Sequence, residues 1–155
     1  MARKTKVEAA DGAQELHITR EFDLPVELLF KAYTVPELVE QWMGTKVIEL
    51  DNHAHGGWRF RTSDAGGKVL FEAHGTIHDF GQDRRIVRTF EMENAGLDPQ
   101  IEYLDFEALT DETSKLTMHI VYRSGEQRDR MLQFGMAHGI NMAHDKLQDV
   151  AAAAR

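Results

Sequence analysis

The sequence predicts an α+β fold in which a curved antiparallel sheet of about seven strands wraps a long C-terminal helix. Three observations predict it. Between Lys46 and Tyr122 strand-like alternation recurs six times with short polar turns between, which implies hairpin-linked neighbours and not strand–helix–strand crossovers. Residues 124–150 carry Leu132, Met136, Ile140, Ala143, Leu147 and Val150 at three- and four-residue steps, one stripe of a helix. Two short helical stretches separate the first strand from the other six, so the order is strand, two helices, six strands, helix.

Residues 1–13 are mostly polar or small and are expected to form a solvated tail. From Glu15 to Asp23, Leu16, Ile18 and Phe22 share one parity with Arg20, while Glu15, His17, Thr19, Glu21 and Asp23 take the other, the mark of a half-buried strand. Pro25 opens a short helix because its fixed φ suits the first turn; Val26, Leu29, Phe30 and Tyr33 form its inner face. Thr34 with Glu37 has capping-box spacing, and Pro36 between them starts a second short helix that carries Leu38 and Trp42 and stops near Gly44. The six strands follow at 46–51, around Trp58–Phe60–Thr62, and at 68–80, 84–93, 101–109 and 115–122. Asp64-Ala65-Gly66-Gly67, Gly81-Gln82, residues 94–99 and residues 110–113 supply the turns. Ser124 with Gln127 caps the closing helix. At about 1.5 Å per residue that helix runs roughly 37 Å. Met131, Phe134, His138 and Met142 flank its stripe and broaden the apolar face. Gly135 and Gly139 each cost about 1 kcal/mol relative to Ala in a helix interior, which suits a place where something approaches the backbone. Residues 14–150 thus form a single domain, with 151–155 as a short C-terminal tail.

A chain of 155 residues buries a real core without staples. The absence of cysteine excludes disulfides and thiolate chemistry and suits a reducing compartment. Eighteen basic residues against twenty-six acidic ones, a formal charge of −8, argue against nucleic acid or an anionic membrane as the main partner. No apolar run approaches the roughly 18 residues that span a bilayer. The opening MARKTKVEAADGAQ lacks the apolar core of a secretory signal, so the expected location is the cytoplasm.

Three stretches carry a family resemblance. PVELLFKAYTVPELVEQW, from Pro25 to Trp42, is similar to the pattern P-x-E-x-x-F-x-A-x-T-x-P-E ending in Trp. Gly56-Gly57-Trp58-Arg59-Phe60 resembles a Gly-Gly turn entering an aromatic strand, and Gly135-Met136, Gly139, Asp145 and Leu147 resemble a G-M-x-x-G-x-x-x-x-x-D-x-L closing helix. In this order they resemble the family named after the activator of heat-shock protein 90 ATPase, a branch of the START-like, birch-pollen-allergen-like (SRPBCC) superfamily. The resemblance implies the helix-grip fold and a hydrophobic cavity between sheet and closing helix, hence binding of a small apolar, lipid-like or aromatic molecule, with a stress-related role among the options. Ile140 departs from it, since relatives commonly place Trp there, which alters the expected pocket wall. The additional N-terminal domain of the eukaryotic activator has no counterpart here, so chaperone stimulation is not expected.

The expected ligand site comprises Trp42, Trp58, Phe60, Phe71, Phe90, Met131, Phe134, His138 and Met142 as walls, with Arg88 and Tyr103 as polar groups. Arg20 and Arg88 stand on apolar parities, where a guanidinium holds a carboxylate or phenolate, or else snorkels to water and pairs with Asp79, Asp105 or Glu107. Tyr103 and Tyr122 are candidate hydrogen-bond donors, and His138 a candidate base. Met131, Met136 and Met142 suit either a packed core or a ligand-sized cavity. No metal site is expected. His53 and His55 lack a third ligand, His74 and His78 stand roughly 13 Å apart along a strand, and His138 and His144 diverge on a helix. No cofactor and no catalytic motif are expected either: nucleophile elbow, phosphate-binding glycine loop and metalloprotease signature are missing. The leading expectation is a non-catalytic carrier or sensor. The alternatives are a polyketide cyclase-like enzyme using His138, Tyr103 or Arg88, and an interaction protein that pairs with a chaperone or a second copy through an exposed face.

Overall fold

The computed structural model describes residues 3–155; Met1 and Ala2, the start of the expected tail, lie outside the described residues. Its elements run β1 (Lys6–Glu8), β2 (Glu15–Phe22), α1 (Val26–Thr34), α2 (Pro36–Met43), β3 (Lys46–Leu50), β4 (Gly57–Ser63), β5 (Val69–Gly81), β6 (Arg85–Met92), β7 (Gln100–Ala108), β8 (Ser114–Val121), α3 (Gly125–Gln133) and α4 (Met136–Ala153). Among the described residues, eight strands form one sheet in the order β1-β2-β8-β7-β6-β5-β4-β3, every neighbouring pair antiparallel. The fold is α+β, as the alternation predicts, and β3 to β8 form the expected meander.

Alternation places one parity of each strand inside. Leu16, Ile18, Phe22, Leu104, Phe106, Leu116, Met118 and Ile120 are all buried, and the registers Ile18↔Met118 and Leu104↔Met118 bring them into shared rows. Register shifts at Val47/Glu49, Thr62/Ser63 and Ile77/Asp79 add a residue on one strand of each pair, which bends it and increases the twist. By backbone proximity α1 is the helix nearest β7 and β8, where Phe30 and Tyr33 meet Phe106 at centroid distances of 5.0 and 5.5 Å.

Five expectations are corrected. The expected tail contains β1, whose Val7 pairs with Ile18, so the sheet has eight strands and not about seven. The closing helix is two helices. Gly135 takes a left-handed conformation, φ 81°, and caps the N-terminus of α4, so no unbroken helix runs from Ser124 to Val150. A Cβ at Gly135 or Gly139 meets nothing within 4 Å; the first glycine serves the backbone turn, and neither marks a close approach. The Thr34–Glu37 capping box does not form. Val35 is the N-cap, and Thr34 Oγ1 instead donates to the Phe30 carbonyl at 3.0 Å. Finally, residues 151–153 continue α4, with Ala151 buried, so they are not tail. The cap at Ser124 does form, its Oγ accepting from Gln127 N at 3.1 Å.

The last helix also packs unevenly. Its principal backbone neighbour is α2, followed by α1 and α3. His144, Leu147 and Ala151, from its middle onward, are buried, whereas Ala137, His138, Gly139 and Met142 nearer its start are exposed.

Candidate functional site

Two polar networks penetrate the core, one from the sheet and one from the helices. On the sheet, Arg88 of β6 faces Glu102 of β7 across a register pair, at exposures of only 6% and 5%. Arg88 Nε donates to Glu102 Oε1 at 2.9 Å, and Gln100 Nε2 donates to Glu102 Oε2 at 2.8 Å. The guanidinium lies 5.0 Å from the ring centroid of Trp58, a cation–π arrangement strengthened by desolvation. Among the described residues the carboxylate is satisfied on both oxygens. One step beyond the Ile101↔Val121 pair, the Tyr122 hydroxyl is buried without a hydrogen-bond partner among the described residues. Burial first, then the Glu102 charge, raises the Tyr122 pKa, so the phenol stays protonated and able to donate.

Trp58 is held in place by its neighbours. Its Nε1 donates to the Thr89 carbonyl at 3.1 Å, and its ring meets Phe60 at 4.8 Å and Phe90 at 5.5 Å. Gly75, its register partner on β5, makes this possible: a Cβ there would stand 1.9 Å from the Thr89 oxygen and 2.7 Å from Trp58 Nε1.

The second network is centred on His144 of α4. Its Nδ1 lies 2.8 Å from Thr5 Oγ1 and its Nε2 3.3 Å from Tyr33 Oη, so a neutral imidazole, with one nitrogen donating and the other accepting, satisfies both. Burial, then the nearby Arg20 guanidinium, lowers the His144 pKa to about 3. Arg20 is itself buried, pairs with Asp145 at 2.8 Å and donates to Thr5 Oγ1 at 3.3 Å. Trp42 belongs to this cluster, packing on Tyr33 at 5.1 Å and donating Nε1 to the Ala32 carbonyl at 2.7 Å.

The expected site is therefore divided. Trp58, Phe60, Arg88 and Phe90 come together on the inner face of the sheet, and Met131 of α3 packs partly buried against the core. Trp42 sits in the helical cluster. Phe71 is 39% exposed at the start of β5, Phe134 is 66% and Met142 57% exposed, and His138 is exposed as well, so these four do not line the interior. The helical break at Gly135 and the shallow packing of the first half of α4 turn Phe134, His138 and Met142 outward, whereas Phe71 lies near the exposed end of the β4–β5 hairpin. Tyr103 projects from the opposite face of the sheet, stacked on His119 at 5.7 Å. His138, Tyr103 and Arg88, the three residues a cyclase-like reading requires together, thus occupy three separate surfaces. The partners of the two arginines also differ from those expected: Arg88 holds Glu102 and Arg20 holds Asp145, not Asp79, Asp105 or Glu107.

Several site residues went unrecognised in the sequence although a signal existed. Glu102 and Gln100 share the parity of Leu104 and Phe106, and His144 falls on the helical stripe between Ile140 and Leu147. Arg128, buried on α3 and donating to the Ala10 carbonyl at 2.6 Å, had no such signal. The sheet also assembles a set that no chain-local spacing reveals: Glu15, His17 and His119, whose ligand atoms lie within 4.8 Å of one another. A surface hollow of about 590 Å³ between α2 and α4 is open and edged by Asp145, Lys146 and Asp149. No helix among the described residues is long and apolar enough to cross a membrane.

Solved structures share this architecture across almost the whole chain. A crystal structure from Rhodobacter sphaeroides is similar with a TM-score of 0.85 and 21% identity, covering 97% of this chain and 99% of that one. A solution structure from Arthrobacter aurescens gives a TM-score of 0.85 at 16% identity, covering 96% and 91%. The protein Ms6760 from Mycobacterium smegmatis gives 0.82 at 19% identity, covering 94% of each. At these identities the likeness concerns the fold alone, the helix-grip fold. No curated protein matches at a significant level. The sequence profile described as "Activator of Hsp90 ATPase homolog 1-like protein" matches residues 23–152, from the end of β2 to the end of α4, and the chain belongs to that family.

Proposed function

We propose that this protein binds a small, mainly apolar molecule carrying one anionic or hydrogen-bond-accepting group, on the inner face of the sheet beside Arg88. The observation that carries this reading is the Tyr122 hydroxyl, buried without a hydrogen-bond partner among the described residues and close enough to the Arg88–Glu102 pair that, after burial, the Glu102 charge raises its pKa. An unsatisfied buried donor costs about 1–3 kcal/mol, and a ligand acceptor that meets this hydroxyl offsets that cost. Trp58, Phe60 and Phe90 supply an aromatic wall around the polar end, the usual composition of a small-molecule site. Entry is least costly under residues 131–143, which bury little side-chain area and are divided by the Gly135 turn. The role is carriage or sensing, since Glu102, the carboxylate at the polar end, is held on both oxygens by Arg88 and Gln100. A cysteine-free chain suits the cytoplasm as the place of that role.

The test compares dodecanoate with dodecanol in a thermal-shift assay, within a wider panel of sterols, flavonoids and aromatic polyketides. Dodecanoate raises the melting temperature more than dodecanol, and Tyr122→Phe, which keeps the ring, reduces the carboxylate's advantage. Chemical-shift changes centre on Trp58 and Phe90. No shift with any member of the panel, or equal shifts with acid and alcohol in both proteins, overturns the reading.

A further inference from the structure

The outer face of the sheet carries an arrangement that only strand pairing creates. Glu8 of β1 pairs with His17 of β2, His17 with His119 of β8, and His119 with Tyr103 of β7, so these side chains form one row across four neighbouring strands. The His17 and His119 rings stack with centroids 4.4 Å apart and planes 8° from parallel. Glu15, two residues before His17 and on the same face, meets both: Oε1 lies 3.4 Å from His17 Nε2, and Oε2 lies 2.7 Å from His119 Nε2. Tyr103 packs on His119 with planes 27° apart and steadies that ring.

We propose that Glu15, His17 and His119 form a binding site for a divalent transition-metal ion of the Zn²⁺ or Cu²⁺ type. Two imidazole nitrogens and one carboxylate oxygen are the donor set of a three-ligand zinc site with an open fourth position, and imidazole selects these ions over Mg²⁺ or Ca²⁺. The three ligand atoms lie within 4.8 Å of one another. A tetrahedral ion with bonds of about 2.0–2.1 Å needs ligand atoms roughly 3.3 Å apart, so small rotations of part-exposed side chains close the site without moving the strands. The ligands stand on paired strands and not on loops, which fixes their spacing before the ion arrives. Glu15 supplies the compensating charge, and Glu8 places a second carboxylate beside His17 in the same row. The ion would clip β2 to β8, two strands whose ligands are 104 residues apart in the chain. The plain alternative is a carboxylate that pairs with two histidines and takes no ion, and the two readings differ in their response to Zn²⁺.

The test uses the full chain without a histidine tag, stripped by a chelator and titrated with ZnCl₂ and CuCl₂ by calorimetry near neutral pH. The expected result is one ion per chain, a raised melting temperature, and Co²⁺ absorption bands of a low-coordinate site. His17→Gln and His119→Gln each weaken Zn²⁺ at least about tenfold, since even groups that merely support a metal ligand are worth that much. His53→Gln and His74→Gln leave binding unchanged, and denaturant titration verifies that each variant is folded. No saturable binding to the wild type, or binding that survives in the His17→Gln/His119→Gln double variant, overturns the proposal.

Discussion

His144 Nδ1 lies 2.8 Å from the hydroxyl of Thr5, a hydrogen bond between residues 139 positions apart that ties the N-terminal segment to the last helix. Arg20 reaches the same hydroxyl, and Thr5 N donates to Asn141 Oδ1 at 3.0 Å. One threonine thus links β2, α4 and the chain that leads into β1.

Thr5→Val keeps the shape of the side chain and removes the oxygen. It leaves His144 and Arg20 short of a partner in a buried place, and the expected loss is about 1–2 kcal/mol. Urea unfolding measures it. A loss indistinguishable from zero would mean that the segment is merely lying on the sheet.

The buried imidazole makes stability depend on acid. The unfolded chain protonates this histidine below its ordinary 6.5, whereas the native state resists protonation to about 3. Between those values the unfolded state binds more protons, so stability present above pH 6.5 is lost as the pH falls through that window. At pH 4.5 the loss assignable to this group is about 2–3 kcal/mol. Unfolding free energies of the wild type and His144→Gln at pH 7.5 and pH 4.5 isolate it from the carboxylates. Equal pH dependence in the two proteins contradicts the assignment.

Arg88 and Glu102 form a buried pair whose members depend on each other. Arg88→Met strands a carboxylate, and the expected loss is about 3–5 kcal/mol; Glu102→Leu alone behaves similarly. The double variant Arg88→Met/Glu102→Leu removes both charges and loses less than the sum of the single changes. Additive losses in a double-mutant cycle would show that the pair does not interact.

Gly135 and Gly139, four residues apart, respond to alanine with opposite signs. At Gly135 the left-handed φ of 81° penalises any L side chain, so Gly135→Ala destabilises by about 1–2 kcal/mol. Gly139 lies within α4 with open space where a Cβ would stand, so Gly139→Ala stabilises by about 0.5–1 kcal/mol. Matching signs in thermal or urea unfolding would refute this account of the break between α3 and α4.

Strand alternation and turn chemistry are local properties, and for that reason the sequence by itself determined the meander from β3 to β8, both short helices, the cap at Ser124 and the apolar parity shared by Trp58 with Phe60 and by Phe90 with Arg88. Parity also marked Glu102 as inward-facing, although a lone acidic residue on an apolar face gains meaning only once Arg88 stands opposite it. Other features rest on long-range geometry. Whether Gly135 bends a helix or rides within it depends on where α4 must land on α2 and α1. That landing turns Phe134, His138 and Met142 outward. The docking of β1 depends on a free edge of β2 and on Thr5 finding His144. Strand order alone brings Glu15, His17 and His119 together, since β8 reaches β2 only after the whole meander has been laid down. Local residue chemistry thus chose the elements and their faces. The partners of the buried polar groups were chosen by tertiary structure, because a charge or imidazole in the interior is satisfied only by groups that folding brings from elsewhere in the chain.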